Sequence, residues 1–169
     1  MWTQKKIAET LKTNMVLITL DLNNNGINDG CAKELAEALK TNTALTKLNL
    51  YDNSFRYAGA KELAEALKIN TVLMTLYLMN NQITNEGATA LAEALKINTV
   101  LTTLYLGGNQ ITKQGATALA EALKINTVLT NLNLASNRIG TITGLFVKYE
   151  IKRLLKRNQA FAPALKAHR

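Results

Sequence analysis

The chain has 169 residues, 47% hydrophobic and 19% charged, with 20 Lys and Arg against 12 Asp and Glu for a net charge of +8. That length suits one domain with room for a real core. The composition excludes a disordered chain and a membrane-spanning one, since the apolar runs reach only about four residues where a spanning helix needs roughly 20. A single Cys (Cys31) and a single His (His168) exclude an internal disulfide, a multi-thiolate metal site and nearly all His-based chemistry.

The first residues, Met-Trp-Thr-Gln-Lys-Lys-Ile, carry positive charge with no apolar stretch behind them, so no Sec-type signal peptide is read. The expectation is a cytoplasmic protein, or one secreted into a host cell without such a signal. Residues 5–14 match residues 33–42, which makes 1–16 a capping half-repeat: a helix with no strand of its own. The strand expected at 18–22 is then a sheet edge that could pair with another chain.

From there the chain repeats. Leu17, Leu45, Leu73, Leu101 and Leu129 stand 28 residues apart and open repeats that fill 17–140. Each continues in one pattern, as in Leu73, Leu76, Leu78, Asn81 and Ile83, and the stretches 87–102 and 115–130 are identical. The Leu-x-Leu centre has period two, so Tyr77 lies on the opposite face of a short strand from Leu76 and Leu78. Ala60, Leu63, Ala64 and Leu67 fall at helical spacing and form one apolar stripe. Each helix runs to an Asn (Asn14, Asn42, Asn70, Asn98, Asn126), a residue that tolerates the left-handed conformation of a helix C-cap. One strand and one helix cannot bury both apolar faces alone, so the units must stack.

The pattern Leu-x-x-Leu-x-Leu-x-x-Asn-x-Ile, followed by Gly-Ala-x-x-Leu-Ala-x-Ala-Leu at a 28-residue period, resembles the ribonuclease-inhibitor-like subfamily of leucine-rich repeats. It is similar to the repeat regions of nucleotide-binding leucine-rich-repeat receptors and to stand-alone bacterial effector proteins. The resemblance implies an α/β fold: a right-handed leucine-rich-repeat solenoid, a short horseshoe arc with a parallel sheet on the concave side and helices on the convex side. It implies an inward-pointing ladder of Asn25, Asn53, Asn81, Asn109 and Asn137, which agrees with the need of a buried turn for side-chain hydrogen-bond partners. No nucleotide-binding segment accompanies the repeats.

Given that fold, the strand residues between the leucines face outward. Asp21, Lys47, Asn49, Tyr51, Tyr77, Met79, Tyr105 and Asn133 form the candidate partner-binding set. Tyr77 and Tyr105 share one repeat position, and Tyr is enriched at interface hot spots; the alternative is duplicated decoration that favours strand formation. The face can hold a protein or peptide. Cys31 takes the slot of Gly59, Gly87 and Gly115, where small size is required and a buried thiol is expected. Glu37, Glu65, Glu93 and Glu121 recur on the solvated convex side. No acid–base pair, phosphate loop or activated nucleophile is present, so no enzyme, cofactor or metal is expected.

The charge gathers at the far end. Residues 138–169 hold eight Lys and Arg against Glu150 alone, a net of +7, which leaves the rest near neutral. A basic capping helix is expected over 141–158, with Phe146, Leu154 and Leu155 as new closing residues, and 159–169 as a tail. Its patch of Lys148, Lys152, Arg153, Lys156 and Arg157 either keeps the cap soluble or docks an anionic membrane or nucleic acid. The second reading is disfavoured, for no nucleic-acid fold goes with it. Two rivals to a free-standing interaction module remain: this electrostatic adaptor, and a structural fragment of a larger receptor.

Overall fold

Leucines at period two alternate with an Ala/Leu stripe at helical spacing, and the chain alternates strands with helices accordingly. The computed structural model describes residues 2–140 and 142–166, with side chains at 5–140 and 144–162; His168 lies outside them. In chain order the elements are α1 (Trp2–Thr13), β1 (Thr19–Asp21), α2 (Asp29–Leu39), β2 (Lys47–Asn49), α3 (Tyr57–Leu67), β3 (Thr75–Tyr77), α4 (Asn85–Ile97), β4 (Thr103–Tyr105), α5 (Lys113–Ile125), β5 (Asn131–Asn133) and α6 (Ile142–Lys166). The five strands form one parallel sheet in sequence order. Leu20, Leu48, Leu76, Leu104 and Leu132 sit opposite one another along it, so each layer repeats the last at an offset of 28 residues. This is the leucine-rich-repeat solenoid that the pattern implies.

The core runs between sheet and helices as one continuous cluster. Leu48, Leu50, Leu76, Leu78, Leu104 and Leu106 have no exposure, and the stripes Ala60–Leu63–Ala64–Leu67 and Ala88–Leu91–Ala92–Leu95 close on them from the helical side. Small residues let neighbouring helices approach. A methyl group built on Gly87 would stand 2.8 Å from Ile83 Cγ2 and 3.0 Å from Ala60 Cβ, and Gly59 and Gly115 are equally crowded. Cys31 fills the same slot in the first repeat, where only α1 lies beneath it, and its side chain is partly buried rather than enclosed. Gly87→Ala is therefore expected to destabilise the chain by about 1–3 kcal/mol through overpacking, although alanine is the better helix former. Urea denaturation of the variant checks this.

Four expectations are corrected. The helix-terminal asparagines are not left-handed; Asn98 and Asn126 have extended backbones, with φ of −68° and −69°. Positive φ falls instead on Asn24, Asp52, Asn80, Gly108 and Ser136, each just before a turn asparagine, and on Gly26 and Gly140; only residues tolerant of positive φ fill such positions cheaply. Asn25 is exposed, because no layer lies beneath it among the described residues. Phe146 is 80% exposed and closes nothing, whereas Ile151 and Leu154 pack into the core. Residues 159–166, expected in the tail, continue α6. Gln159 ties this stretch to the Thr130 carbonyl, Ala160 and Ala162 favour helix, and Pro163 removes only one donor in the closing turns.

Candidate interaction surface

Two ladders of asparagine amides hold the layers in register. At the front turn, Asn53 Oδ1 accepts from the Asn25 and Ile27 amides at 3.1 and 2.9 Å, and its Nδ2 donates to the Leu22 carbonyl at 3.0 Å. Asn109 repeats this with the Ile83 amide and the Leu78 carbonyl, and Asn137 with the Ile111 amide and the Leu106 carbonyl. Asn81 donates to the Leu50 carbonyl at 3.0 Å, but its buried Oδ1 has no partner. Its expected donor belongs to Phe55, where the other described repeats carry isoleucine.

The rear ladder went unread in the sequence, where its members look like helix terminators. Asn98 Nδ2 donates to the Leu67 and Asn70 carbonyls at 2.7 and 3.3 Å, and its Oδ1 accepts from the Val100 and Leu101 amides at 2.9 and 2.7 Å. Asn42, Asn70 and Asn126 do the same in their own layers. The 28-residue recurrence of Asn-Thr-Val/Ala-Leu, with the Asn three residues before a buried Leu, is the signal that could have revealed it.

These ladders present the concave face. Tyr77 and Tyr105 stack with ring centroids 4.8 Å apart and planes 4° from parallel, because one repeat position recurs at the spacing of neighbouring strands, about 4.8 Å. Lys47 Nζ lies 5.2 Å from the Tyr77 ring centroid, within cation–π range. Asn80 donates to the Tyr51 hydroxyl at 3.1 Å, and Asn131 to that of Tyr105 at 3.2 Å. Neither Asn80 nor Asn131 belongs to the candidate set; each contacts a tyrosine hydroxyl at the exposed surface. Met79 is half-buried in the turn after Tyr77.

The remaining candidates at that repeat position serve the backbone. Asp21, Asn49 and Asn133 each accept from the amide two residues on, at 2.9–3.0 Å, and Asn49 Nδ2 also donates to Asp21 at 3.0 Å. These polar side chains close Asx turns, while Tyr77 and Tyr105 leave aromatic surface available at the middle of the arc.

The basic end divides into three. Arg153 grips Glu150 through two hydrogen bonds of 2.9 and 2.7 Å, which hold the Glu150 carboxyl below the ordinary carboxylate range. Arg157 donates to the Leu123 and Asn126 carbonyls at 2.8 and 2.9 Å, and buried Asn158 to those of Asn126 and Leu129 at 3.1 and 2.8 Å. Together they end the rear ladder, so Arg157 is spent on closing the stack rather than displayed for an anion. Lys148, Lys152 and Lys156 face outward beside β5. On the convex side Glu37, Glu65, Glu93 and Glu121 pair with the lysines three residues on, at 2.5–2.7 Å, contacts worth little in stability. Among the described residues no cluster of His, Cys, Asp or Glu could hold a metal ion, and no helix is long and apolar enough to cross a membrane.

Comparison with known proteins agrees with the geometry. Among solved structures, leiomodin-1 actin-binding site 2 superposes with a TM-score of 0.86 at 24% identity, over 96% of this chain and 93% of that one. The tropomodulin C-terminal domain of Caenorhabditis elegans superposes with a TM-score of 0.77 at 14% identity, over 98% and 99%. At such identities the likeness is one of fold. No curated protein sequence matches the chain. The family model for the leucine-rich repeat matches residues 13–36, 41–64, 70–92, 98–120 and 126–142, one segment for each strand of the sheet, and the chain belongs to the leucine-rich repeat family.

Proposed function

We propose that the chain is a non-catalytic protein-interaction module that captures a protein or peptide on its concave face, with the Tyr77–Tyr105 stack as its anchor and Lys47, Tyr51 and Met79 around it. The observation that carries this reading is the pair of stacked, half-buried rings at the centre of the sheet. A rigid aromatic surface with few rotatable bonds loses little entropy on binding. The 28-residue period and the Ala/Leu helix favour a place in the ribonuclease-inhibitor-like subfamily. The identity of residues 87–102 and 115–130 suits a stand-alone effector or adaptor, acting in a cytoplasm, its own or a host's.

The double variant Tyr77→Ala/Tyr105→Ala is expected to lose captured protein at least tenfold in pull-downs, as hot-spot truncation does, with a far-ultraviolet spectrum matching the parent. Actin, which the leiomodin-1 site binds by name, is the first defined protein to include. Equal capture by the folded double variant overturns the reading.

A further inference from the structure

The far end of the stack is only partly closed. Leu104 and Leu106 have no exposure, whereas Leu132 and Leu134, their equivalents in β5, are half-buried, because α6 packs against α5 rather than squarely over the last strand. A groove of about 500 Å³ remains between β5 and α6, floored by Leu132, Leu134, Ile151 and Leu155.

Two further features specify what fits it. Lys148, Lys152 and Lys156, at successive helical turns, share the groove-facing side of α6, and among the described residues no acidic side chain lines the groove; Glu150 on the same helix is held by Arg153. The strand also offers an open edge. Among the described residues β5 is the last strand of the sheet, and its bonds to the preceding repeat involve Asn131, Asn133 and Ala135. Strand alternation therefore turns the Leu132 N–H and C=O away from β4.

The geometry points to this groove as a docking site for an acidic peptide in extended conformation. The peptide adds to the β5 edge, buries alternate apolar side chains against the four aliphatic residues of the floor, and sets its carboxylates among the ammonium groups of Lys148, Lys152 and Lys156. Among the described residues the groove is lined by no aromatic ring on which a base would stack. The tyrosine pair does not line this groove; Asn131, which donates to the Tyr105 hydroxyl, is the lining residue that touches it.

Fluorescence anisotropy of the intact chain with a labelled peptide, Glu-Leu-Glu-Leu-Glu-Leu-Glu, tests this. Saturable binding is expected that weakens with salt and falls at least tenfold in the triple variant Lys148→Glu/Lys152→Glu/Lys156→Glu. Tyr77→Ala/Tyr105→Ala should leave it unchanged, which separates this site from the proposed concave one. Heptaglutamate, and the same peptide N-methylated at alternate amides, should each bind at least tenfold more weakly. If the triple Glu variant fails to fold, the corresponding triple Gln variant carries the test. No saturable binding, equal binding of heptaglutamate, or equal binding by the folded triple variant overturns the proposal. So does lysine-dependent binding of phosphatidylserine vesicles or duplex DNA in preference to the peptide.

Discussion

Asn98→Ala is expected to lower the stability of the folded chain by about 3–5 kcal/mol, a drop in melting temperature on the order of 10 °C for a chain of this size. The side chain is buried, and its amide bridges two carbonyls of the preceding layer to two amides of its own. Alanine leaves these groups without their partner, at about 1–3 kcal/mol for each buried polar group so orphaned. Asn14 is the internal control: it accepts from the Val16 and Leu17 amides at 3.0 and 2.7 Å in the exposed first layer, where water can replace it. Asn14→Ala should cost about 1 kcal/mol, the net worth of an ordinary hydrogen bond. Urea denaturation followed by circular dichroism distinguishes the two, and equal midpoints would mean that the rear amides do not hold the layers together.

Leu104→Ala should cost about 3 kcal/mol, whereas Leu132→Ala should cost about half as much. The two leucines occupy one repeat position and differ only in what covers them. Leu104 is enclosed on every side, so its removal leaves a cavity between layers; Leu132 already borders the groove beside α6. Matching losses in chemical denaturation would show that the last layer is sealed as tightly as the inner ones, and would weaken the case for the groove as well.

The contrast between these leucines shows where sequence reading runs out. Both appear in the pattern as the same letter in the same register, and period two assigns both to the inner face. Cys31 and Gly87 likewise share a slot, yet a Cβ added at Gly87 would crowd Ile83 and Ala60, whereas the Cys31 side chain is accommodated partly buried against α1. Position along the stack, not residue type, separates the members of each pair. The same holds for Arg157 and Lys156: neighbours in one basic run, of which one closes the ladder through the Leu123 and Asn126 carbonyls and the other lines the groove.

The amino-acid order alone determined the class of fold, because alternation at period two and at helical spacing is a local property, and its recurrence every 28 residues leaves stacking as the only way to bury both stripes. Tertiary structure alone decided that the helix-terminal asparagines form a second ladder and how the last layer is closed. Those bonds join residues 26 to 34 apart, and whether an amide, a leucine or an arginine is enclosed depends on the layer that happens to lie against it.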